Sequence, residues 1–179
     1  GGTITIDGST DDVDVDVACI FYEGNYWYGF TSLDAAIKKA QAGDTITLIR
    51  DVTATEVILL DKNLTINGNG HKVTSSATRV FRVTTANTEV TLNDVNMVST
   101  AVRVGTNDIR GISIDNVNGV KLTLNDCSVD FTDASANDWA YAVNQSGKDS
   151  SGNTITIIGG TYEGANVINV YGANHTVTV

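Results

Sequence analysis

Leu122-Thr123-Leu124-Asn125-Asp126 restates Val90-Thr91-Leu92-Asn93-Asp94 with a single apolar exchange, and its core triplet returns as Ile46-Thr47-Leu48, Leu64-Thr65-Ile66, Ile155-Thr156-Ile157 and Val177-Thr178-Val179. Self-similarity at an interval of tens of residues marks a chain built of stacked units, each covering the apolar face of its neighbour. Side chains alternate across a strand, so the outer two residues of each triplet turn inward and the Thr faces out.

Two further strand patterns accompany the triplets. One reads Phe81-Arg82-Val83, Ile112-Ser113-Ile114, Tyr141-Ala142-Val143 and Ile168-Asn169-Val170; the other reads Met97-Val98, Ser128 to Phe131 and Thr161-Tyr162-Glu163. Three short strands per repeat suit a parallel β-helix better than a sandwich. Residues 100–110, 132–139 and 144–154 exceed the period and are expected to loop out.

Composition fits an extracellular β-rich chain. The 179 residues hold 24 Thr and 17 Asn, the first favoured on pleated surfaces and the second in turns that need left-handed backbone. A net charge of −10 argues against nucleic acid or an anionic membrane surface as partner. No segment has the run of some eighteen apolar residues that a membrane span needs. Cys19 and Cys127 are too few for a disulfide framework and are expected to be small buried hydrophobes. The Gly1-Gly2 start and the stop at Val179 within a strand pattern suggest a piece of a larger protein. That open end leaves room for a further domain or for self-association with a second copy.

Residues 1–43 read as an N-terminal unit, and 44–179 as the stacked strands. Thr3 to Ile6 and the acidic alternation Asp12 to Val17 are strand patterns, and Cys19 to Tyr22 with Tyr26 to Phe30 form a hairpin about Glu23-Gly24-Asn25. Thr31 or Ser32 can cap a helix whose stripe is Leu33, Ala36, Ile37 and Ala40, ended by Gly43. Such a helix would cover the first unit's open interior.

Tyr28-Gly-Phe-Thr-Ser-Leu-Asp-Ala-Ala-Ile-Lys-Lys-Ala-Gln-Ala-Gly-Asp-Thr-Ile-Thr-Leu-Ile-Arg-Asp-Val, followed by Lys62-Asn-Leu-Thr-Ile-Asn-Gly-Asn-Gly-His-Lys-Val, resembles the opening of right-handed parallel β-helix domains of the pectate-lyase-like superfamily. It is most similar to the form found in secreted or cell-surface adhesin-like proteins of bacteria. The resemblance implies an all-β, right-handed parallel β-helix with three strands per coil, an N-terminal hairpin and a capping helix. It implies a bacterial secreted or surface location, an asparagine ladder at Asn67, Asn93 and Asn125, and a structural role for His71. The same scaffold carries lyases, hydrolases and adhesins, so fold does not select among activities.

Site residues follow from the exposed chemistry. Thr47, Thr65, Thr91, Thr123, Thr156 and Thr178 should form an outward column, either an ordinary solvated strand face or an array matching a repetitive surface such as ice. Asn63, Glu89 and Lys121 interrupt a second column and count against the ice reading. Asp12, Asp14 and Asp16, with Asp7 or Asp11, are the candidates for calcium, although same-face residues nearly 7 Å apart favour a charged, solvated strand. Trp139, Tyr141, Lys148 and Asp149 beside the insertions, and Tyr26 and Trp27 on the hairpin, are the candidate ligand contacts. The hairpin region holds six of the twelve aromatic residues, some of which packing over the helix would consume.

No catalytic or metal-binding residues are assigned. A calcium-dependent lyase needs converging carboxylates and a basic residue, and a hydrolase needs paired carboxylates. The recurring Asn93-Asp94 and Asn125-Asp126 with His71 and His175 do not assemble into either. The reading is therefore a non-catalytic, adhesin-like surface module with glycan or cell-surface protein ligands. The alternative is a polysaccharide lyase or glycoside hydrolase with its site in the insertions or beyond residue 179. Asn63, Asn144 and Asn174 begin Asn-x-Ser/Thr acceptor sequences.

Overall fold

A computed structural model describes residues 17–133 and 139–179. The expected strand at residues 3–6 and the acidic face of Asp7, Asp11, Asp12, Asp14 and Asp16 lie outside the described residues. The described chain is all-β apart from the helix Leu33–Lys39, with its strands in three largely parallel sheets, an arrangement consistent with a β-helix.

In the first sheet, Thr45–Leu48, Leu64–Asn67, Glu89–Asn93, Lys121–Asn125, Thr154–Ile158 and Thr176–Thr178 lie side by side in chain order. The hairpin Cys19–Glu23 and Tyr26–Phe30 extends that sheet antiparallel to Thr45–Leu48. The second sheet holds Val52–Ala54, Lys72–Ser75, Asn96–Ser99, Ser128–Phe131 and Thr161–Tyr162. The third holds Ile58–Leu60, Arg79–Val83, Ile109–Asp115, Ala140–Ser146 and Asn166–Val170. The chain visits the sheets in rotation, so residues of equal rank in successive passes become neighbours. Ile46, Ile66, Leu92, Leu124 and Ile157 consequently stack in register inside the core. Each such side chain contributes roughly 1.5–3 kcal/mol by leaving water.

The helix closes the end beside the hairpin. Leu33, Ala36, Ile37 and Ala40 are all buried, and the Ser32 hydroxyl accepts from the Ala35 N–H at 3.2 Å as its cap. Its last carbonyls are met from the stack, because Lys62 Nζ donates to the Ile37 and Ala40 oxygens at 2.9 and 3.2 Å. The aromatic hairpin divides as packing demands: Phe21 stacks on Tyr28 and Phe30 at 5.3 and 5.8 Å, while Tyr22, Tyr26 and Trp27 are exposed.

Two registers differ from expectation by two residues. Thr47 pairs with Asn67, and Thr45, instead of Thr47, heads the threonine column above Thr65. In the third sheet Ile112-Ser113-Ile114 pairs with Val143-Asn144-Gln145, instead of Tyr141-Ala142-Val143. At Tyr141 the slip accompanies a break in alternation, so Tyr141, expected inward, lies on the outer side and Ala142, expected outward, is buried. At Thr47 a slip of two preserves which side chains face inward, so alternation cannot choose between the two. Backbone hydrogen bonds at the turns do choose: Gly43 N–H donates to Asn63 O at 2.8 Å and Thr65 N–H to Asp44 O at 3.0 Å.

The expected loop 144–154 is also shorter than its sequence suggested, since residues 144–146 complete a strand. Asn144 and Gln145 tolerate burial because partners are supplied. Gln145 Nε2 donates to Ser150 Oγ at 2.7 Å, and Asn153 Nδ2 donates to Gln145 Oε1 at 2.6 Å. Asn144 is buried, so the folded chain does not offer it for glycosylation.

Candidate functional site

The outward side of the first sheet is a frame. Thr45, Thr65, Thr91, Thr123, Thr156 and Thr178 run down it in register. The adjoining column is Thr47, Asn67, Asn93, Asn125 and Ile158. Asn93 Nδ2 donates to Asn67 Oδ1 at 2.8 Å and Asn125 Nδ2 to Asn93 Oδ1 at 2.6 Å, and Ile158 ends the ladder. Asp94 and Asp126 follow directly at φ 49°, left-handed turn positions that Asp tolerates. Two residues beyond Ile158, Gly160 sits at φ +92°, where an added Cβ would lie 1.9 Å from Cys127 O. The recurring Asn-Asp pairs therefore serve the turns of this sheet, and neither Asp is presented as half of a catalytic pair. His71 lies at a corner with Nδ1 3.3 Å from Asp51, while His175 Nδ1 accepts from the Asn153 N–H at 3.1 Å. Both cysteines are free and buried, and burial pushes each thiol up to about 11.

The outward side of the third sheet is different. Arg79, Arg110 and Tyr141 occupy one column; Arg82, Ser113 and Asn144 occupy the next; Asp115 and Ser146 stand beyond. Arg79 and Arg82 share the outer side although they are three apart, because alternation slips at Val80-Phe81, where both residues are buried. The same slip recurs at Gly111-Ile112 and Ala142-Val143. Gly111 is required there, since an added Cβ would come within 2.6 Å of Ala142 O and of Val129 Cγ1.

Asp115 is the hub, with its side chain only 3% exposed. One oxygen, Oδ2, receives Arg79 Nε at 2.7 Å and the Ser113 hydroxyl at 2.9 Å, and lies 3.3 Å from Arg82 Nε. The other, Oδ1, receives the Ser146 hydroxyl at 2.7 Å and lies 3.7 Å from Arg110 Nη1. Burial by itself would raise this carboxyl, but the Ser146 hydroxyl, Arg79, Ser113 and Arg110 together hold it below the usual carboxylate range. Burial also lowers Arg79, opposed by the Asp115 charge. A guanidinium stays protonated through the whole accessible pH range, so the cations of the cluster are fixed charges. Asp115 stays ionised and enclosed, which makes it an unsuitable proton donor.

The margin of this face is aromatic. Trp139 directly precedes Ala140, the register partner of Ile109, and Arg103 Cζ lies 3.7 Å over the Trp139 ring. Arg79, Arg82, Arg103 and Arg110 are four of the five arginines in a chain of net charge −10. The sequence pattern named Trp139 and Tyr141 and put Arg82 outward beside Ser113, but it missed Arg79, Arg103, Arg110 and Asp115. A period-two reading puts Arg79 and Arg82 on opposite faces, and nothing local marks Asp115.

The remaining candidates do not converge here. Lys148 and Asp149 are exposed at the turn beyond Ser146, separated from Trp139 by the strand Ala140–Ser146, about 20 Å of extended chain. Tyr26 and Trp27 lie on the hairpin at the edge of the first sheet. A cleft of about 560 Å³ lies beside the helix, lined by Leu33, Asp34, Lys38, Glu56 and Leu59 among others. Leu59 is also the register partner of Arg82, so this cleft adjoins the arginine face. Among the described residues no three His, Cys, Asp or Glu side chains are placed to hold a metal ion. No described helix is long and apolar enough to cross a membrane. No family model, curated protein or solved structure matches the chain.

Proposed function

We infer that this chain is a non-catalytic, adhesin-like display module of the right-handed, pectate-lyase-like β-helix kind, with three strands per coil, secreted or held at a bacterial cell surface. Its stacked sheets form a rigid platform, and its ligand is a glycan bound across the outward side of the third sheet. The observation that carries this reading is the set of Arg79, Arg82, Arg110 and Tyr141 on that one face, with Trp139 at its margin. Planar guanidinium groups and a Tyr carried on neighbouring strands, with a Trp at their margin, suit recognition of an extended polymer.

The test is retention of the protein on immobilised acidic and neutral polysaccharides, with and without calcium, while unsaturated products and new reducing ends are followed. Retention without cleavage is expected. Cleavage would replace this reading with a lyase or hydrolase, and absence of retention on every polymer would remove the glycan.

A further inference from the structure

We propose that the arginine face is an anion-selective subsite, in which the guanidinium of Arg82 grips a carboxylate or sulfate group carried by a sugar polymer. This rests on the glycan-binding reading above and adds the chemical class of the ligand.

The three sheet arginines are not equivalent. Arg79 is held through Nε by both Ser113 and Asp115, and Arg110 is held between Asp115 and Asp108, at 3.7 and 3.6 Å. Arg82 approaches Asp115 with Nε at 3.3 Å, without a hydrogen bond, and its side chain is 41% exposed. Neither of its terminal nitrogens makes a hydrogen bond among the described residues. Asp115 thus anchors each arginine from the protein side and leaves one outward fork with its donors unused. A planar fork of two N–H groups matches the two oxygens of a carboxylate or sulfate.

Charge balance points the same way. Three guanidiniums, those of Arg79, Arg82 and Arg110, share two carboxylates, Asp108 and Asp115. The surplus is positive while the chain as a whole carries −10. An anionic polymer is therefore repelled by most of the molecule and attracted at this face, which turns weak attraction into orientation. The aromatic neighbours favour a sugar over an acidic peptide, since Trp139 and Tyr141 offer flat surfaces beside the charged row. Arg103 stacked on Trp139 adds a second cation near the ring.

The experiment measures binding of the whole chain to immobilised dextran sulfate, hyaluronan and unmodified dextran at low and near-physiological salt. The sulfate and carboxylate polymers separate the two sources of the anion. At least one charged polymer is expected to bind roughly tenfold or more tightly than dextran, with binding weakened by salt. Arg82→Ala should lose roughly tenfold in affinity for it, the magnitude of one charged hydrogen-bonding contact. Arg82→Lys should recover part of the loss, and Lys121→Ala on the first sheet should change nothing. Arg82→Ala leaves Asp115 with Arg79, Arg110 and two hydroxyls, and circular dichroism verifies that it folds. Equal binding by folded Arg82→Ala and the parent chain would overturn the proposal. Retention on dextran alone would overturn it while leaving the glycan-binding reading in place; retention on none of the three would remove both.

Discussion

The outward faces of the first and third sheets are built on similar parallel ladders, yet one repeats its residues and the other does not. On the first, six threonines stand in register and three asparagines hydrogen-bond to one another along the stack. On the third, position after position changes: Arg79, Arg110 and Tyr141 in one column, Arg82, Ser113, Asn144 and Asn169 in another. Repetition serves a face whose partner is the neighbouring pass. Variation marks a face whose partners are a buried carboxylate and, on the present proposal, a ligand. The contrast also locates the stakes, because a solvated threonine column carries little energy per residue while an ion cluster around an enclosed Asp carries much.

The contrast breaks hardest at Asp115. Asp115→Asn leaves three guanidiniums facing a neutral amide and should lower unfolding free energy by roughly 3–5 kcal/mol, the loss typical of breaking a buried ion pair. Urea melts of the variant and the parent chain measure it. A loss within experimental error would mean that water already screens the cluster. The same residue sets an acid limb. Its folded carboxyl lies below the ordinary carboxylate range, so its stabilisation is complete above about pH 4 and fades as pH falls through the folded value. The difference between the parent chain and Asp115→Asn should accordingly shrink in melts below about pH 3.

Asn93 tests the other face at its strongest point. It donates to Asn67 and accepts from Asn125, so Asn93→Ala removes two bonds and should destabilise by about 1–3 kcal/mol. Asn125→Ala, at the end of the ladder, should lose less; equal losses would deny that the rungs act along the stack. The smallest effect belongs to Thr123→Val, expected within about 0.5 kcal/mol and without influence on glycan retention. A large loss of retention there would shift the binding face to the first sheet.

Much of the frame could be read from particular residues. The helix stripe Leu33, Ala36, Ile37 and Ala40 and the inward outer residues of the Thr triplets are buried where alternation and helical spacing put them. Asn67, Asn93 and Asn125 could be placed one above another because each follows the same triplet. Register was less legible: Thr47 and Tyr141 were each displaced by two, a slip that keeps Thr47 outward but, with the break in alternation at Ala142-Val143, turns Tyr141 outward where its triplet pattern put it inward. Of the candidate contacts, Trp139 and Tyr141 fall on the arginine face, whereas Lys148, Asp149, Tyr26 and Trp27 lie elsewhere.

By itself the sequence determined what repetition and alternation can encode: short strands, a capping helix, an inward apolar stack and an asparagine column, all consequences of neighbours along the chain. Tertiary structure alone decided the arginine face. Arg79, Arg82, Arg110 and Asp115 come from two strands, and their meeting depends on register and on a one-residue slip in alternation at Val80-Phe81. Electrostatic attraction acts through space, and no local pattern records which side chains the stacking brings within a few ångströms of one another.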